Sequence, residues 1–340
     1  SESRIDDINQ SAFTYPIGDG DFSSEDFSDP YPVEIPIPID PPALTIPTDR
    51  IVSVTNDGQI IELQSDILEM VNDFASKNED IIVPPILPEE RQISPQTIIG
   101  DDERYPVRNL NTAYPYSTVV RFKRHWTGKP QNWCTGWMVG PSSFVTAAHC
   151  LYNADNGAPD PWAHGVTAYP GYNSDSMDPN PFGSCYFLQY FVTNFWIQNQ
   201  NTEHDYGIVR LRCTIGYESG TLGFTTYTGD GIGEPVMVVG YPSDLSDGGT
   251  EMWYGGGSIT GSTSSITYYN ADTYGGESGA PVISTNSARC IPNCAIAGHS
   301  ASIPPENGGP RIGNYFLSWL INERSYVTTE LFIPIVFRRR

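Results

Sequence analysis

Beyond Thr97 the sequence breaks into short β-branched and aromatic runs, each bounded by a turn cluster. STVVRF (117–122), GIVRLR (207–212) and EPVMVVGY (234–241) are such runs, and DGIG (230–233) and SDGG (246–249) are such turns. Runs of this length and composition form strands, and the clusters between them reverse the chain. With 20 tyrosines and 32 glycines in the whole sequence, the pattern predicts an all-β domain of roughly 200–250 residues. One helix is expected near the end, where Tyr315, Phe316, Trp319 and Leu320 fall on a single apolar face.

All six cysteines lie in this part: Cys134, Cys150, Cys185, Cys213, Cys290 and Cys294. An even number in such a chain predicts three disulfides and an oxidising compartment. Six cysteines allow about 15 pairings, and spacing alone leaves them open. Cys290 and Cys294 have no second pair at zinc-finger spacing, and no HExxH occurs. No metal site is expected. Acidic residues are numerous but none follows an EF-hand pattern, so structural calcium has no support.

Charge divides the 340 residues unevenly. The net charge is −22, from 40 acidic and 18 basic side chains. Residues 1–96 hold 20 acids and 4 bases, and residues 97–340 hold 20 acids and 14 bases. This balance argues against a nucleic-acid partner, which needs a basic face for phosphates, and against docking on an anionic membrane. No apolar run approaches the ~18 residues of a membrane span; the run 331–337 is interrupted by Pro334. Residues 1–49 are rich in Asp, Ser and Pro, and PVEIPIPIDPP (32–42) reads as extended, polyproline-like chain. A helical period covers 64–77, with Ser65 as N-cap, and a Pro-rich linker follows at 81–90. A solubilising tail and an acidic propeptide would share this composition; the propeptide is the reading adopted. The sequence opens at Ser1 with no apolar leader, so any secretory signal is expected to have been removed. The organisation expected is a largely irregular acidic pro-region at 1–96, a β domain at 97–324, and an extension at 325–340.

Three segments carry chemistry. In FVTAAHC (144–150) a strand ends in small residues that leave room for the His149 imidazole. In HDYGIVRL (204–211) Asp205 precedes an apolar strand, where a buried carboxylate accepts from a histidine Nδ1–H and holds the tautomer. In DTYGGESGAPV (272–282) Ser278 is wrapped in glycines, which let backbone N–H groups turn toward a developing oxyanion. Each segment alone is modest. Their order, His then Asp then Ser, is that of a chymotrypsin-type triad, distinct from the subtilisin and α/β-hydrolase orders.

On these segments, with IIGDDERYPVRNLNTAYPY (98–116) and CTGWMVGP (134–141), the chain resembles the secreted chymotrypsin-fold serine proteases. Within them it is most similar to bacterial glutamyl endopeptidases of the Bacillus type. The resemblance runs from about Thr97 to Leu320. It implies two six-stranded antiparallel β-barrels with the site between them, followed by a C-terminal helix. It also implies Ser278 as nucleophile, His149 as general base and then acid, and Asp205 as the orienting carboxylate. The N–H groups of Gly276 and Ser278 would form the oxyanion hole, and Ser300 would lie against the aspartate. The pairings implied are Cys134–Cys150 and Cys290–Cys294, which leaves Cys185–Cys213.

The same resemblance bears on specificity. Asp272 lies six residues before Ser278, where trypsin-like enzymes place the carboxylate that attracts Arg or Lys. Against this, His299 and Thr273 match the residues by which glutamyl endopeptidases hold a substrate carboxylate, and the Bacillus motif also carries an aspartate at the Asp272 position. Glutamate is favoured if His299 is protonated or donates a hydrogen bond, and if Asp272 turns away. Glu277 departs from the family, which usually carries an uncharged amide there. In trypsin-type zymogens an acid at this place captures a new N-terminal ammonium, so cleavage near Gln96–Thr97 is expected to free an amine that pairs with Glu277. The whole reading is a secreted, monomeric serine endopeptidase made as a proenzyme. It acts on peptides, with its own pro-region as an internal partner and no cofactor required. The alternatives are an Arg/Lys-specific protease and a non-catalytic homologue that only binds.

Overall fold

The structure, a computed structural model, describes residues 51–55, 59–63, 98–154, 157–290 and 293–328. The helix expected at 64–77, the linker 81–90, Thr97 and the tail beyond Thr328 lie outside the described residues.

The described chain opens with β1 (Ile51–Thr55) and β2 (Ile60–Leu63), an antiparallel hairpin inside the acidic segment. Its sequence, IVSVTNDGQIIEL, sets two β-branched runs around Asn-Asp-Gly, a strong hairpin signal that the acidity of residues 1–96 obscures. β3 (Arg104–Pro106) follows. Next come β4 (Val119–His125), β5 (Asn132–Gly140), β6 (Ser143–Thr146), β7 (His164–Pro170), β8 (Cys185–Thr193) and β9 (Gly207–Leu211). Neighbours run β7-β4-β5-β6-β9-β8, and β8 pairs again with β7, so six antiparallel strands close into a barrel. β1 adds to β8 from outside that ring.

The second sheet holds β10 (Gly223–Phe224), β11 (Pro235–Gly240), β12 (Trp253–Ser262), β13 (Ile266–Tyr269), β14 (Pro281–Ser284), β15 (Cys294–Gly298), β16 (Ala301–Ile303) and β17 (Glu306–Pro310). Their order is β10-β15-β14-β11-β12-β13-β17-β16, with β3 on β12 as the ninth strand. A bridge between Ala297 and Arg311 brings the end of β17 back to β15, and Ile312 N–H donates to Ile296 O at 2.9 Å. The all-β expectation therefore holds, with a closed first barrel and a second sheet bent round by that bridge. One pairing departs from antiparallel: β10 runs parallel to β15.

Side-chain alternation explains why the strands read as near-continuous apolar runs. Along β4, β6 and β9, Val120, Phe144 and Val209 fill the first barrel. Their neighbours Val119, Val145 and Ile208 point the other way, into a core shared with Val239, Tyr241, Ile283 and the terminal helix. Both faces are buried, so neither needs polar residues. A separate cluster, including Val236, Val238, Val282 and Ile296, fills the second sheet. The terminal helix spans Asn314–Arg324. Phe316, Trp319 and Leu320 are buried in the shared core, but Tyr315, expected on the same face, is exposed. No helix among the described residues is long and apolar enough to cross a membrane.

Candidate active site

Strand register brings His149 and Asp205 together. β6 and β9 pair antiparallel with Thr146 opposite Gly207. His149 follows the end of β6 on a 3-10 turn (Ala148–Cys150), and Asp205 precedes the start of β9 at the end of another (Thr202–His204). The buried Ala147 and Ala148 keep the first turn small. His149 Nδ1 lies 2.7 Å from Asp205 Oδ2, and His149 N–H donates to Asp205 Oδ1 at 2.8 Å. Ser300 Oγ donates to the same Oδ2. Burial opposes ionisation of Asp205, but His149 and the hydrogen bonds from His149 and Ser300 outweigh it, and its pKa falls below the ordinary carboxylate value. The carboxylate is thus charged, fixed and dry.

Ser278 lies on the loop between β13 and β14. Its carbonyl accepts from Thr135 N–H on β5 at 3.0 Å and lies 3.9 Å from Cys150 Sγ, next to His149. The Cys134–Cys150 disulfide ties β5 to the histidine turn; Cys185–Cys213 and Cys290–Cys294 are the other two. Two glycines make this loop possible. Gly276 has φ +103°, and a Cβ there would stand 2.4 Å from Tyr241 O. Gly279 has φ +84°, and its Cβ would stand 2.2 Å from Thr146 Oγ1. Any side chain at Gly279 would push the serine loop off the first barrel.

His299 is held beside Ser278 by the backbone. Gly279 N–H donates to His299 O at 2.7 Å, and His299 N–H donates to Ala280 O at 2.8 Å. The imidazole is fully buried, and its Nδ1 is hydrogen-bonded to the Tyr269 hydroxyl. Burial, with the nearby His149, pulls its pKa down to about 3 against the opposing pull of Asp205, so the ring is neutral. If the Tyr269 O–H donates to Nδ1, the ring proton sits on Nε2. Nε2 is buried without a hydrogen-bond partner among the described residues, and so is Thr273 Oγ1. Asp272, by contrast, is occupied. Its Oδ1 accepts from Ile99 N–H at 2.7 Å and its Oδ2 from Glu103 N–H at 2.9 Å.

Glu277 is fully buried. Its Oε2 accepts from Tyr274 N–H at 2.7 Å, and its Oε1 has no hydrogen-bond partner among the described residues. Burial raises its pKa to about 8, although the Tyr274 N–H and nearby Arg104 pull the other way. Arg104 is itself buried between two carboxylates, with Nε and Nη2 on Asp102 and Nη1 and Nη2 on Asp244. Burial works against its charge, but those bonds hold it protonated.

Residues 134–291 match the trypsin-like peptidase domain. The chain is 36% identical to a glutamyl endopeptidase of Bacillus licheniformis over 64% of each chain. It is 32% identical to a Bacillus subtilis protein named extracellular metalloprotease, over 65% of this chain and 68% of that one. The chain belongs to the trypsin-like peptidases. Its match thus spans just under two thirds of the B. licheniformis relative's length. Among solved structures, a Glu endopeptidase superposes with a TM-score of 0.56 at 26% identity, covering 66% of this chain and 98% of that one.

Among the described residues the tight grouping of metal-donor side chains is Cys134, His149 and Cys150. Both cysteines are joined in a disulfide and offer no thiolate. Tyr269 is the site residue that sequence reading missed. It is one of 20 tyrosines, inside the run ITYY, and its partner is 30 positions away. Nothing local marks it.

Proposed function

We propose that the chain is a secreted serine endopeptidase, made as a proenzyme, that cleaves after glutamate. Ser278 Oγ attacks the scissile carbonyl while His149 takes its proton. The Gly276 and Ser278 N–H groups stabilise the oxyanion, and His149 returns the proton to the leaving amine. Water then hydrolyses the acyl-enzyme by the same route, with Asp205 holding the imidazole throughout. No cofactor enters any step. The disulfides and the named extracellular relative support secretion.

The observation that carries the specificity is the pair of buried orphans, His299 Nε2 and Thr273 Oγ1, beside the serine loop. Both can donate to a carboxylate, and a neutral histidine does so without needing a proton from solvent. Asp272 is the obvious partner for Arg or Lys, but its oxygens are already engaged by Ile99 and Glu103. Fluorogenic peptides differing only before the cut test this reading. Glu is expected to lead Asp, Gln and Arg/Lys, and His299→Ala to remove most of that preference. Preference for Arg or Lys would overturn it. A serine-directed phosphonylating probe that labels the processed enzyme, but not Ser278→Ala, separates a peptidase from a binding homologue.

The proenzyme reading rests on Glu277, a buried carboxyl with one oxygen unanswered. Ile99 already lies on the loop that carries Asp272 and Glu277, and two residues of chain reach at most about 7 Å further. An amine freed at Thr97 would ionise Glu277 and fix the loop. Acetylating that amine on processed enzyme is expected to abolish or retune cleavage; unchanged kinetics would sink the idea.

A further inference from the structure

Along one edge, β8 is only partly covered by strands of its own barrel. On one side β9 pairs with β8 from Phe187 to Val192. On the other, β7 reaches only Cys185 and Tyr186. The remaining stretch on that side pairs with β1, from Thr55 opposite Gln189 to Ile51 opposite Thr193. Without β1, those N–H and C=O groups would form an open edge, which invites pairing with any extended chain.

The cover comes from the acidic segment, outside the peptidase resemblance. β1 and β2 pair from Ile51–Leu63 inward to Val54–Ile60. Thr55 and Gln59 close the turn: Thr55 N–H donates to Gln59 O at 2.9 Å, and Gln59 N–H to Thr55 Oγ1 at 3.0 Å. Val54 lies opposite Tyr190 and is only 7% exposed. It belongs to the same buried cluster as Tyr190, Val192 and Val209, the interior of the first barrel. A propeptide that merely solubilises needs no side chain there.

We infer that residues 51–63 stay with the enzyme as a docked strand pair. After a cut between Leu63 and Thr97 the barrel keeps them as a non-covalent second chain. They are held by strand addition along Gln189 to Thr193 and by Val54 in the core. The natural cut rests on the proenzyme reading; the docking does not.

The test uses the full chain with Ser278→Ala, so that it does not cut itself, and with a recognition site for an unrelated protease inserted within 81–90. After that protease acts, native gel filtration is expected to carry the N-terminal fragment with the body at one to one. The β8 amides that face β1 are expected to keep their hydrogen-exchange protection. A fragment that elutes alone, or loss of that protection on cutting, overturns the inference. Val54→Asp puts an unpaired carboxylate in the barrel core and is expected to lower fragment retention about tenfold or more. Retention unchanged by Val54→Asp would also overturn it, since binding would then lie elsewhere in the segment. If that variant does not fold, the exchange measurement on the cut chain with an unaltered hairpin decides. Natural processing is read separately, from the N-terminal residue of active wild-type enzyme, so its failure is distinguishable from failure of docking.

Discussion

A buried histidine without a charge recognises a carboxylate differently from an imidazolium. His299 is neutral because burial outweighs the one favourable charge near it, Asp205. Its Nδ1 lies against the Tyr269 hydroxyl, and a hydroxyl that donates there leaves the ring proton on Nε2. Tyr269→Phe removes that restraint and frees the ring to take the other tautomer. The expected result is a loss of roughly tenfold in kcat/KM for Glu peptides, carried mainly by KM. Labelling of Ser278 by the phosphonylating probe should be unchanged. A fall in labelling would mean that Tyr269 supports the whole loop instead. His149, Asp205 and Ser278 stand out in the sequence because each has a local setting: small residues, an apolar strand, a ring of glycines. Tyr269 was not, because its role exists only across β13 and the end of β15.

Elements show the same division. The terminal helix was legible from its apolar spacing, but what anchors it was not. Arg210 on β9 pairs with Glu323 through Nε at 2.9 Å and Nη2 at 2.7 Å, and Ser143 Oγ donates to Glu323 O at 2.9 Å. Glu323 is buried, so Glu323→Ala leaves a partly buried guanidinium without its partner. A loss of about 2 kcal/mol or more is expected in urea unfolding of the Ser278→Ala chain. Gly279→Ala tests the serine loop: its Cβ has no room against Thr146 and Thr135. We expect probe labelling to fall at least about a hundredfold while the disulfides still form. The hairpin of β1 and β2 escaped notice for a different reason. Acidity averaged over residues 1–96 reads as unstructured, whereas a strand pair needs only a short β-branched stretch and an edge to meet.

For the whole molecule, titration of Glu277 links the site to stability. The unfolded chain gives up this proton near 4.5, the folded chain near 8, because burial keeps the carboxyl neutral. Between those values the unfolded state binds fewer protons, so stability falls as pH rises, by up to ~1.4 kcal/mol per pH unit. Asp205 acts in the opposite sense: its depressed pKa contributes stability that is lost as pH falls below the carboxylate range. His299, with 6.5 as its ordinary value and about 3 when buried, opposes Glu277 below 6.5. Urea midpoints of the uncut Ser278→Ala chain should therefore decline from about pH 6.5 to 8. Glu277→Gln should flatten that decline; an unchanged slope would locate it in another group. Sequence by itself determined the all-β class, the acidic segment and the order of the three proposed triad residues, because strand composition, net charge and glycine-flanked turns are local properties. Tertiary structure alone decided that Asp272 is engaged by the chain near Thr97, that Tyr269 pins His299, and that part of the acidic segment is built into the first barrel. Each of these is a contact between distant residues, and no local spacing encodes a partner that only folding brings near.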